Sequence, residues 1–329
     1  MCPTEETIAS SNSRARAGDG PISFDVWGCR GSKSHLPAKS EIGNYTSCYS
    51  LLSGEDLFVF DGGLGLVPLS NALRFDRRFR SVRRVSLLIT HAHLDHWEGI
   101  KDADFFWVRG NNLDVTIYGV DEAISTIQEG YKHPSFVALE LLANGTVGMQ
   151  EYRTFSFGET VKIGSWTFET LPLNHYSGTP WNKSVLQTAG YRLWRRGGPV
   201  VSYLSDHEPA PETVEVEATL CRNAHLAVFD SHFDDIENQR YGHGSQEYTA
   251  GLARSRPDLL VMAGHHGPMY TDADLVSTFM KHRNGTDNYV IAVEGDSYQW
   301  DAAKKHFRAA KTNTVSLILR ASKAARRGA

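Results

Sequence analysis

The run HAHLDH at residues 91–96 places three histidines and one aspartate within six residues of each other. The apolar run VSLLIT precedes it directly, and such a run is typical of a strand that is buried on both faces. In a turn that leaves a strand end, His91 and His93 can converge on one metal ion. Asp95 and His96 can then turn toward a second ion beside the first. Because unrelated surface histidines rarely reach this density, the run predicts a metal site at a strand exit.

Three later segments repeat this pattern of an apolar strand followed by a group that could bind metal. The run LPLN leads to His175, VSYLS leads to Asp206, and LVMAG leads to the pair His265-His266. Each segment alone also suits a capping aspartate or a hydrogen-bonded structural histidine. Together with residues 91–96, they predict that strand ends supply the ligands of a dinuclear site.

The order HAHLDH, His175, Asp206 and His265 resembles the metallo-β-lactamase superfamily of hydrolases, over residues 22–268. Three further segments resemble the branch that contains ribonuclease Z-like and cyclic-phosphodiesterase-like proteins. They are WGCRGS at 27–32, FVFDGGLG at 58–65 and YGHGSQEYTAGLA at 241–253. The resemblance implies an α/β fold of the αββα sandwich type, in which two mixed β-sheets pack face to face with helices outside.

The same resemblance implies seven metal ligands and two divalent ions. The implied ligands are His91, His93 and His175 for the first ion, Asp95, His96 and His265 for the second, and Asp206 as the bridge between them. His265 is preferred to His266 because the family uses the first histidine of such a pair. Zinc is the first candidate for both ions, and manganese and iron suit similar ligand sets.

Two metal ions can lower the pKa of a bridging water to near neutrality and can clamp the attacked group. We therefore expect a metal-bridging hydroxide to attack phosphorus or a carbonyl carbon, and Asp95 could also orient this hydroxide. His243 is the candidate proton donor to the leaving group, and His232 is the alternative. Either histidine could instead support the ligands, and Asp230 is expected to bind the second ring nitrogen of a ligand histidine.

Two loop segments each have two interpretations. Residues 61–63, Asp-Gly-Gly, could cradle a phosphate, but the GxxxxGK[ST] and GxGxxG contexts are missing. A tight turn that supports the metal loop is therefore favoured. Arg30 and Lys33 could contact a substrate phosphate, or they could remain solvated as exposed loop cations.

Substrate choice is expected to depend on the long loops, chiefly residues 105–112 and 139–150. Aromatic side chains near the proposed ligands could line a pocket for a base or an acyl chain, or could pack the loops. These residues are Trp107, Tyr176, Trp181 and Tyr270.

The remaining pattern predicts strands with helices between them. Predicted strands are 22–28, 48–53, 56–60, 85–90, 114–118, 159–163, 165–171, 190–194, 200–204, 226–230 and 259–263, and predicted helices are 121–129, 245–254 and 300–311. We expect one hydrolase domain at 22–315, between a disordered tail at 1–21 and a C-terminal segment at 316–329.

The composition of the 329 residues narrows the compartment and the partners. A net charge of −4 argues against large RNA and anionic membrane surfaces as partners, and favours a small-molecule substrate. No apolar run approaches the roughly 20 residues of a membrane span. The four scattered cysteines and a first segment without a hydrophobic core favour a cytoplasmic protein with reduced thiols. The protein could also form a homodimer.

Three functions follow in order of preference. The first is a phosphodiesterase that acts on a small or cyclic phosphodiester. The second is hydrolysis of a lactone, a thioester or another carboxyl ester, because the same metal site serves both reactions. The third is a ligand-binding or regulatory protein that retains the metal but turns over slowly.

Overall fold

The computed structural model describes residues 20–35, 40–106, 113–136, 150–179 and 181–313. Within them, two large β-sheets pack on each other and helices cover their outer faces, which is the predicted αββα arrangement. The predicted tails at 1–21 and 316–329 lie outside these residues, apart from residues 20 and 21. Trp107 and most of the two segments expected to set substrate choice also lie outside them.

The first sheet has eight strands in the order β17-β16-β1-β2-β3-β4-β5-β6. Its strands are β1 (Ile22–Gly28), β2 (Cys48–Ser53), β3 (Asp56–Phe60), β4 (Arg84–Leu88), β5 (Asp114–Gly119), β6 (Gln150–Thr154), β16 (Ser297–Asp301) and β17 (His306–Lys311). Strands β3 to β6 are parallel to each other. The chain therefore leaves β3 and β4 at the same edge of the sheet, directly before residues 61–63 and 91–96.

The second sheet has seven strands in the order β15-β14-β13-β12-β11-β8-β7. Its strands are β7 (Thr160–Ile163), β8 (Trp166–Pro172), β11 (Ala189–Arg195), β12 (Val200–Leu204), β13 (Leu226–Asp230), β14 (Leu260–Gly264) and β15 (Tyr289–Ile291). Strands β12 to β15 are parallel, so their carboxyl ends also share one edge. The strands β9 (Tyr176–Thr179) and β10 (Asn182–Val185) form a separate hairpin.

Aromatic side chains fill the space between the two sheets. Phe60 of the first sheet lies 5.2 Å from Tyr203 of the second, between ring centroids, and Phe58 lies 5.5 Å from Trp166. All four rings are almost wholly buried. Because each large ring removes apolar area from water and constrains its neighbour, these contacts fix how the two site-bearing edges face each other.

Five α-helices lie in the described part of the chain, and they pack outside the sheets. They are α1 (Leu66–Phe75), α2 (Asp121–Gly130), α3 (Val214–Leu220), α4 (Gln246–Ser255) and α5 (Asp272–Arg283). The predicted helix at 245–254 is confirmed, and Ser245 caps it by accepting the N–H of Tyr248 at 3.2 Å. None of the described helices has the length and apolar character needed to cross a membrane.

The predicted helix at 300–311 is wrong, because these residues form the turn and second strand of the hairpin β16–β17. The alanine- and lysine-rich composition favours a helix locally. In the folded chain, β16 pairs with β1, and the rings of Trp300 and Phe307 meet across the hairpin at 5.4 Å. Asp301 also accepts two backbone N–H groups in the turn, so tertiary pairing overrides the local preference.

Candidate metal centre

The predicted ligands come together at the edge where the strands of both sheets end. His91 to His96 follow β4 and include a single 3₁₀ turn at Leu94–His96. His175 follows β8, Asp206 follows β12 and His265 follows β14. Three groups of side chains have ligand atoms within 4.8 Å of one another, and two of them consist of the predicted ligands; one contains His91, His93, His175 and Asp206, and the other contains Asp95, His96 and His265. The structure therefore brings all seven residues into one site.

Asp206 lies between the two groups, and its two carboxylate oxygens face different histidines. Oδ2 is 3.6 Å from Nε2 of His91 and 3.5 Å from Nε2 of His175. Oδ1 is 3.2 Å from Nε2 of His96 and 3.0 Å from Nε2 of His265. This placement is the one that a bridging carboxylate requires.

Several ring nitrogens in the site are buried without a hydrogen-bond partner among the described residues. They include Nε2 of His91, His96 and His265, which all point at carboxylate oxygens of the site. A buried polar nitrogen without a partner is costly, unless it serves as a ligand. The donor set, imidazole and carboxylate without thiolate, suits divalent ions of the zinc, manganese and iron type.

The pKa values of the histidines show how strongly the carboxylates attract positive charge. Burial lowers the pKa of His175 to about 3, so this ring is neutral and can act as a ligand. Burial also disfavours a charge on His265, but Asp206, Asp230 and Asp95 raise its pKa to about 10. The carboxylates around the second group therefore stabilise a positive charge there. Together, the His/Asp clusters could hold divalent metal ions.

Asp61 supports the metal loop, as the sequence favoured, and is not part of a phosphate cradle. Its Oδ1 accepts the backbone N–H of Thr90 at 2.8 Å, and its Oδ2 lies 2.8 Å from Nδ1 of His96. The hydroxyl of Tyr203 donates to the same Oδ2 at 2.9 Å. A Cβ atom at Gly63 would lie 2.4 Å from the carbonyl oxygen of Asp95, so only glycine allows this close approach. Asp61 thus fixes the ring orientation of His96 from behind.

The N-terminal loop contacts the second ligand group. The backbone N–H of Ser32 donates to Oδ2 of Asp95 at 2.8 Å, and Gly31 lies against the ring of His265. The prediction that Arg30 is an exposed loop cation is wrong, because its side chain is fully buried and forms a 2.6 Å ion pair with Asp272 at the start of α5. Lys33 is exposed, as expected.

Asp230, His243 and His232 form a further buried group beside His265. Oδ2 of Asp230 lies 2.8 Å from Nδ1 of His243, and Oδ1 accepts the backbone N–H of His232 at 2.9 Å. Oδ1 is also 3.7 Å from Nδ1 of His265, beyond a good hydrogen bond. Asp230 therefore holds the predicted proton donor His243 more closely than the ligand His265. Burial holds the pKa of His232 well below its ordinary value, and its ring stacks on His243 at 4.2 Å.

Two histidines of the region have supporting contacts that the sequence did not indicate. His207 accepts the N–H of Asn174 through Nδ1 at 3.1 Å, and its Nε2 lies 3.0 Å from Oε1 of Glu217 on α3. It thus connects the loops of Asp206 and His175. His266 turns away from the site, and its Nε2 lies 3.0 Å from the carbonyl oxygen of Ala292. This geometry separates His265 from His266, a choice that only the family resemblance had favoured.

The hairpin β9–β10 begins directly after His175 and also contacts a predicted ligand. Oγ of Ser177 lies 2.7 Å from Nε2 of His93, while Nδ1 of His93 lies 3.0 Å from Nε2 of His175. Tyr176 donates its hydroxyl to Glu208 at 2.7 Å. The hairpin is therefore anchored at the metal centre by its first two residues.

Residues 58–266 match the family model described as a β-lactamase superfamily domain. The chain belongs to this superfamily. The matched residues include the whole candidate metal centre from His91 to His265, which places the clusters inside the superfamily domain.

Solved structures share the fold of this superfamily domain at low sequence identity. The metallo-β-lactamase fold protein YhfI from Bacillus subtilis is 19% identical with a TM-score of 0.58, over 85% of this chain and 99% of that one. Yeast PDE1 is 16% identical with a TM-score of 0.61, over 84% and 99%. A diphosphatase from the PhnP family is 13% identical with a TM-score of 0.59, over 85% and 97%. They confirm the predicted metallo-β-lactamase-type fold.

One curated protein, Myosin-14 of Arabidopsis thaliana, is 29% identical over 135 residues, or 36% of this chain. The chain spans 8% of the length of that myosin. This similarity is too partial to indicate a shared activity.

Proposed function

We propose that the protein is a dinuclear metal-dependent phosphodiesterase that acts on a small or cyclic phosphodiester. The observation that carries the dinuclear proposal is the position of Asp206, whose two oxygens face two different histidine pairs. A single-ion site would leave one of these pairs without a role. The unpartnered Nε2 atoms of His91, His96 and His265 support the same proposal.

The residues that would hold the ions are the seven that meet at the strand ends. His91, His93 and His175 would hold the first ion, Asp95, His96 and His265 the second, and Asp206 would bridge. When bound, two divalent ions supply a water of lowered pKa and neutralise charge on the oxygens of the attacked group. Zinc is our first choice, with manganese or iron as alternatives.

The proton for the leaving group would come from His243. Its Nδ1 is held by Asp230 at 2.8 Å, and its Nε2 has no hydrogen-bond partner among the described residues. Although burial opposes the charge on Asp230, contacts with His243 and His265 hold the pKa of this carboxyl well below its ordinary value. The ionised Asp230 fixes the orientation of the His243 ring, as the positioning of a general acid requires. His232 is the weaker candidate, because burial keeps it neutral.

Asp95 is a positioning group as well as a ligand. The Ser32 N–H donates to its Oδ2, the oxygen that also lies 3.2 Å from Nε2 of His96, so the N-terminal loop helps to fix the carboxylate. Hydrogen bonds of this kind limit the rotation of a ligating carboxylate and so fix the direction in which its second oxygen points. We propose that this oxygen orients the attacking water.

One consideration favours phosphorus over carbon as the attacked atom, and another favours a small substrate over a large one. The fold is shared with a diphosphatase of the PhnP family and with yeast PDE1. The net charge of −4 and the sequence resemblance favour a small phosphodiester over large RNA. A hydrolase that acts in the cytoplasm on a small molecule is the resulting proposal.

The test combines metal analysis with two chromogenic substrates. Purified protein is stripped of metal with a chelator, reloaded with zinc, manganese or iron(II), and assayed with bis(p-nitrophenyl) phosphate and p-nitrophenyl acetate. We expect about two equivalents of metal per chain and turnover of the phosphodiester that is lost on stripping and recovered on reloading.

Each other result would contradict a defined part of the proposal. Turnover of the acetate alone with two metals would replace the phosphodiesterase by a carboxyl-ester hydrolase. One equivalent of metal with full activity would contradict the dinuclear site. A metal-loaded protein that is inert on both substrates would leave the regulatory interpretation.

A further inference from the structure

Several large apolar side chains that remain exposed lie on the segments that build the metal centre. Four segments that carry or directly follow a predicted ligand or the proposed proton donor each contain at least one of the ten such side chains in the described residues. One from each segment makes up what we name the apolar rim: Leu94, Trp181, Tyr241 and Met269, with exposed fractions of 58%, 91%, 41% and 57%. Single exposed apolar residues are ordinary on protein surfaces, but a group at a polar site is not.

Each residue of the apolar rim either neighbours a site residue in the sequence or lies on a segment that contacts one. Leu94 lies between His93 and Asp95. Tyr241 precedes Gly242, whose carbonyl oxygen lies 2.9 Å from Nδ1 of His175. The rim therefore begins at the metal ligands themselves.

The other two rim residues approach from separate loops. Met269 has its sulfur against Gly267, and the N–H of Gly267 donates to the carbonyl oxygen of His232 at 3.2 Å. Trp181 lies at the turn of the hairpin β9–β10, which is anchored through Ser177 to His93. Four different segments connected to the same centre thus each present an exposed apolar side chain to solvent.

Two exposed cations accompany the apolar rim. Nζ of Lys183 lies 3.9 Å from the ring centroid of Tyr176, and Cζ of Arg240 lies 5.5 Å from that of Tyr241. An apolar surface with cations at its border suits a ligand that combines a flat apolar group with a negative charge. A diester of phosphoric acid with an aromatic substituent has both features.

We infer that the substrate carries a flat apolar ring, such as an aryl group or a nucleobase, on the part that is not the leaving group, and that the apolar rim binds this ring. The inference rests on the proposed phosphodiesterase function and names its substrate class. It makes the rim a determinant of specificity, while the metal centre acts on the phosphodiester bond.

The test uses two phosphodiesters with the same leaving group. Methyl p-nitrophenyl phosphate and phenyl p-nitrophenyl phosphate both release p-nitrophenolate, and they differ only in the substituent that would meet the rim. The measured quantity is the ratio of kcat/KM for the phenyl substrate to kcat/KM for the methyl substrate, in zinc-loaded protein. We expect Trp181→Ser and Met269→Ser each to lower this ratio several-fold and the double variant about tenfold, since apolar contacts discriminate by such factors.

The matched control is Met280→Ser on α5, which removes an exposed apolar side chain away from the centre. It should leave the ratio at the wild-type value, and metal content is measured for every variant. An unchanged ratio in the double variant, with both substrates turned over, would contradict the inference and leave the phosphodiesterase intact. No turnover of either substrate by metal-loaded wild type would instead contradict the proposed function.

A second copy of the chain is the competing occupant of the rim. Sedimentation of wild type and Trp181→Ser distinguishes it. A wild-type dimer that becomes monomeric in the variant, together with an unchanged substrate ratio, would make the rim a subunit interface and would contradict its role in substrate binding.

Discussion

The carboxyl ends and the amino ends of the parallel strands β12, β13 and β14 have very different surroundings. At the carboxyl ends lie Asp206, Asp230 and His265, all almost fully buried. At the amino ends lie His225 and a wide cleft of about 720 Å³ between the strand starts and the turn of β16–β17. This cleft thus lies at the end opposite the candidate metal centre.

Hydrogen bonding at the two ends explains why the carboxyl ends, and not the cleft, are the better candidate for a binding site. In the cleft, Nδ2 of Asn288 donates to three carbonyl oxygens at 2.8–2.9 Å, and Nδ1 of His225 accepts the N–H of Val200 at 3.0 Å. Its lysines, Lys304 and Lys305, are exposed to water. At the carboxyl ends, by contrast, buried ring nitrogens have no partner among the described residues. Unsatisfied buried groups therefore mark a binding site better than volume does.

Left-handed backbone occurs at both ends, including Asn223 and Lys305 in the cleft, but at the carboxyl ends it falls on residues of the candidate centre itself. Asp61, Asp206 and His265 have φ values of 59°, 55° and 53°, in the left-handed region that non-glycine residues rarely adopt. Each of them follows a strand end at the candidate centre. Strain of this kind persists where the surrounding contacts require one orientation of a side chain, as they do here.

The largest effect is expected for Asp206→Ala. This change removes the carboxylate between the two histidine pairs, so we expect metal content to fall and phosphodiester turnover to drop at least the roughly 10²–10³-fold that one electrostatic group contributes in other enzymes. The control is His306→Ala in the cleft at the opposite end, which should change neither quantity. Full metal content with unchanged turnover in Asp206→Ala would contradict the ligand assignment.

The next largest effect is expected for His243→Ala, and it depends on the leaving group. Loss of a general acid costs about 10²–10⁴-fold when the leaving group needs a proton, and much less for p-nitrophenolate. We therefore expect a large decrease in kcat for a dialkyl phosphate or a nucleoside cyclic phosphate, and a small decrease for bis(p-nitrophenyl) phosphate, at unchanged metal content. Equal decreases for both kinds of substrate, or a decrease explained by metal loss, would make His243 a structural residue.

A smaller effect is expected for Asp61→Asn. Asparagine also adopts a positive φ readily, but it removes the carboxylate charge beside His96. Loss of a carboxylate that orients a ligand histidine typically weakens metal binding about 10–100-fold. Competition with a chromogenic zinc chelator measures this change directly. Asp258→Asn, in the exposed cleft, is the matched control, and equal zinc affinity in the two variants would mean that Asp61 only stabilises the fold.

Sequence patterns predicted the site residues best where the pattern depends on a few residues that are adjacent in the chain. The run from 91 to 96 and the strand-then-ligand pattern at Asp206 and His265 each depend on a few adjacent residues, and the structure brings them together. The choice between His265 and His266 depends on a backbone turn, φ 53° at His265, that residue types alone do not specify. That choice needed the family resemblance or the structure.

Long-range partners account for the errors. Arg30 has the sequence of an exposed loop cation, but its partner Asp272 is 242 residues away along the chain. Residues 300–311 favour a helix locally, yet β16 pairs with β1 near the beginning of the described chain. Glu217 likewise meets His207 only after α3 packs on the second sheet. Such pairs depend on the complete topology, which a single sequence does not reveal.

The last effect concerns the stability of the fold rather than activity, and it compares the pH dependence at the two ends of β15. Glu294, after the carboxyl end, is largely buried, and burial raises the pKa of its carboxyl from 4.5 to about 7, despite hydrogen bonds from Tyr45 and Asn44. Between these pH values the folded chain retains a proton that the unfolded chain releases. The free energy of unfolding therefore decreases as pH rises through this window, by about 3 kcal/mol in total from this group.

Glu294→Gln should remove this contribution, because the amide keeps the shape of the protonated acid and does not titrate. Urea unfolding of zinc-free protein at several pH values from 4.5 to 8 measures it as the difference between wild type and variant, in which the shared histidine titrations cancel. The variant should gain stability relative to wild type as pH rises. Asp287→Asn, fully exposed before the amino end of β15, should show no such pH-dependent difference. If the free energy of unfolding of Glu294→Gln and of Asp287→Asn depends on pH in the same way, then a buried carboxyl is not a property of the carboxyl ends alone. The two ends of the strands would then not differ in their electrostatics.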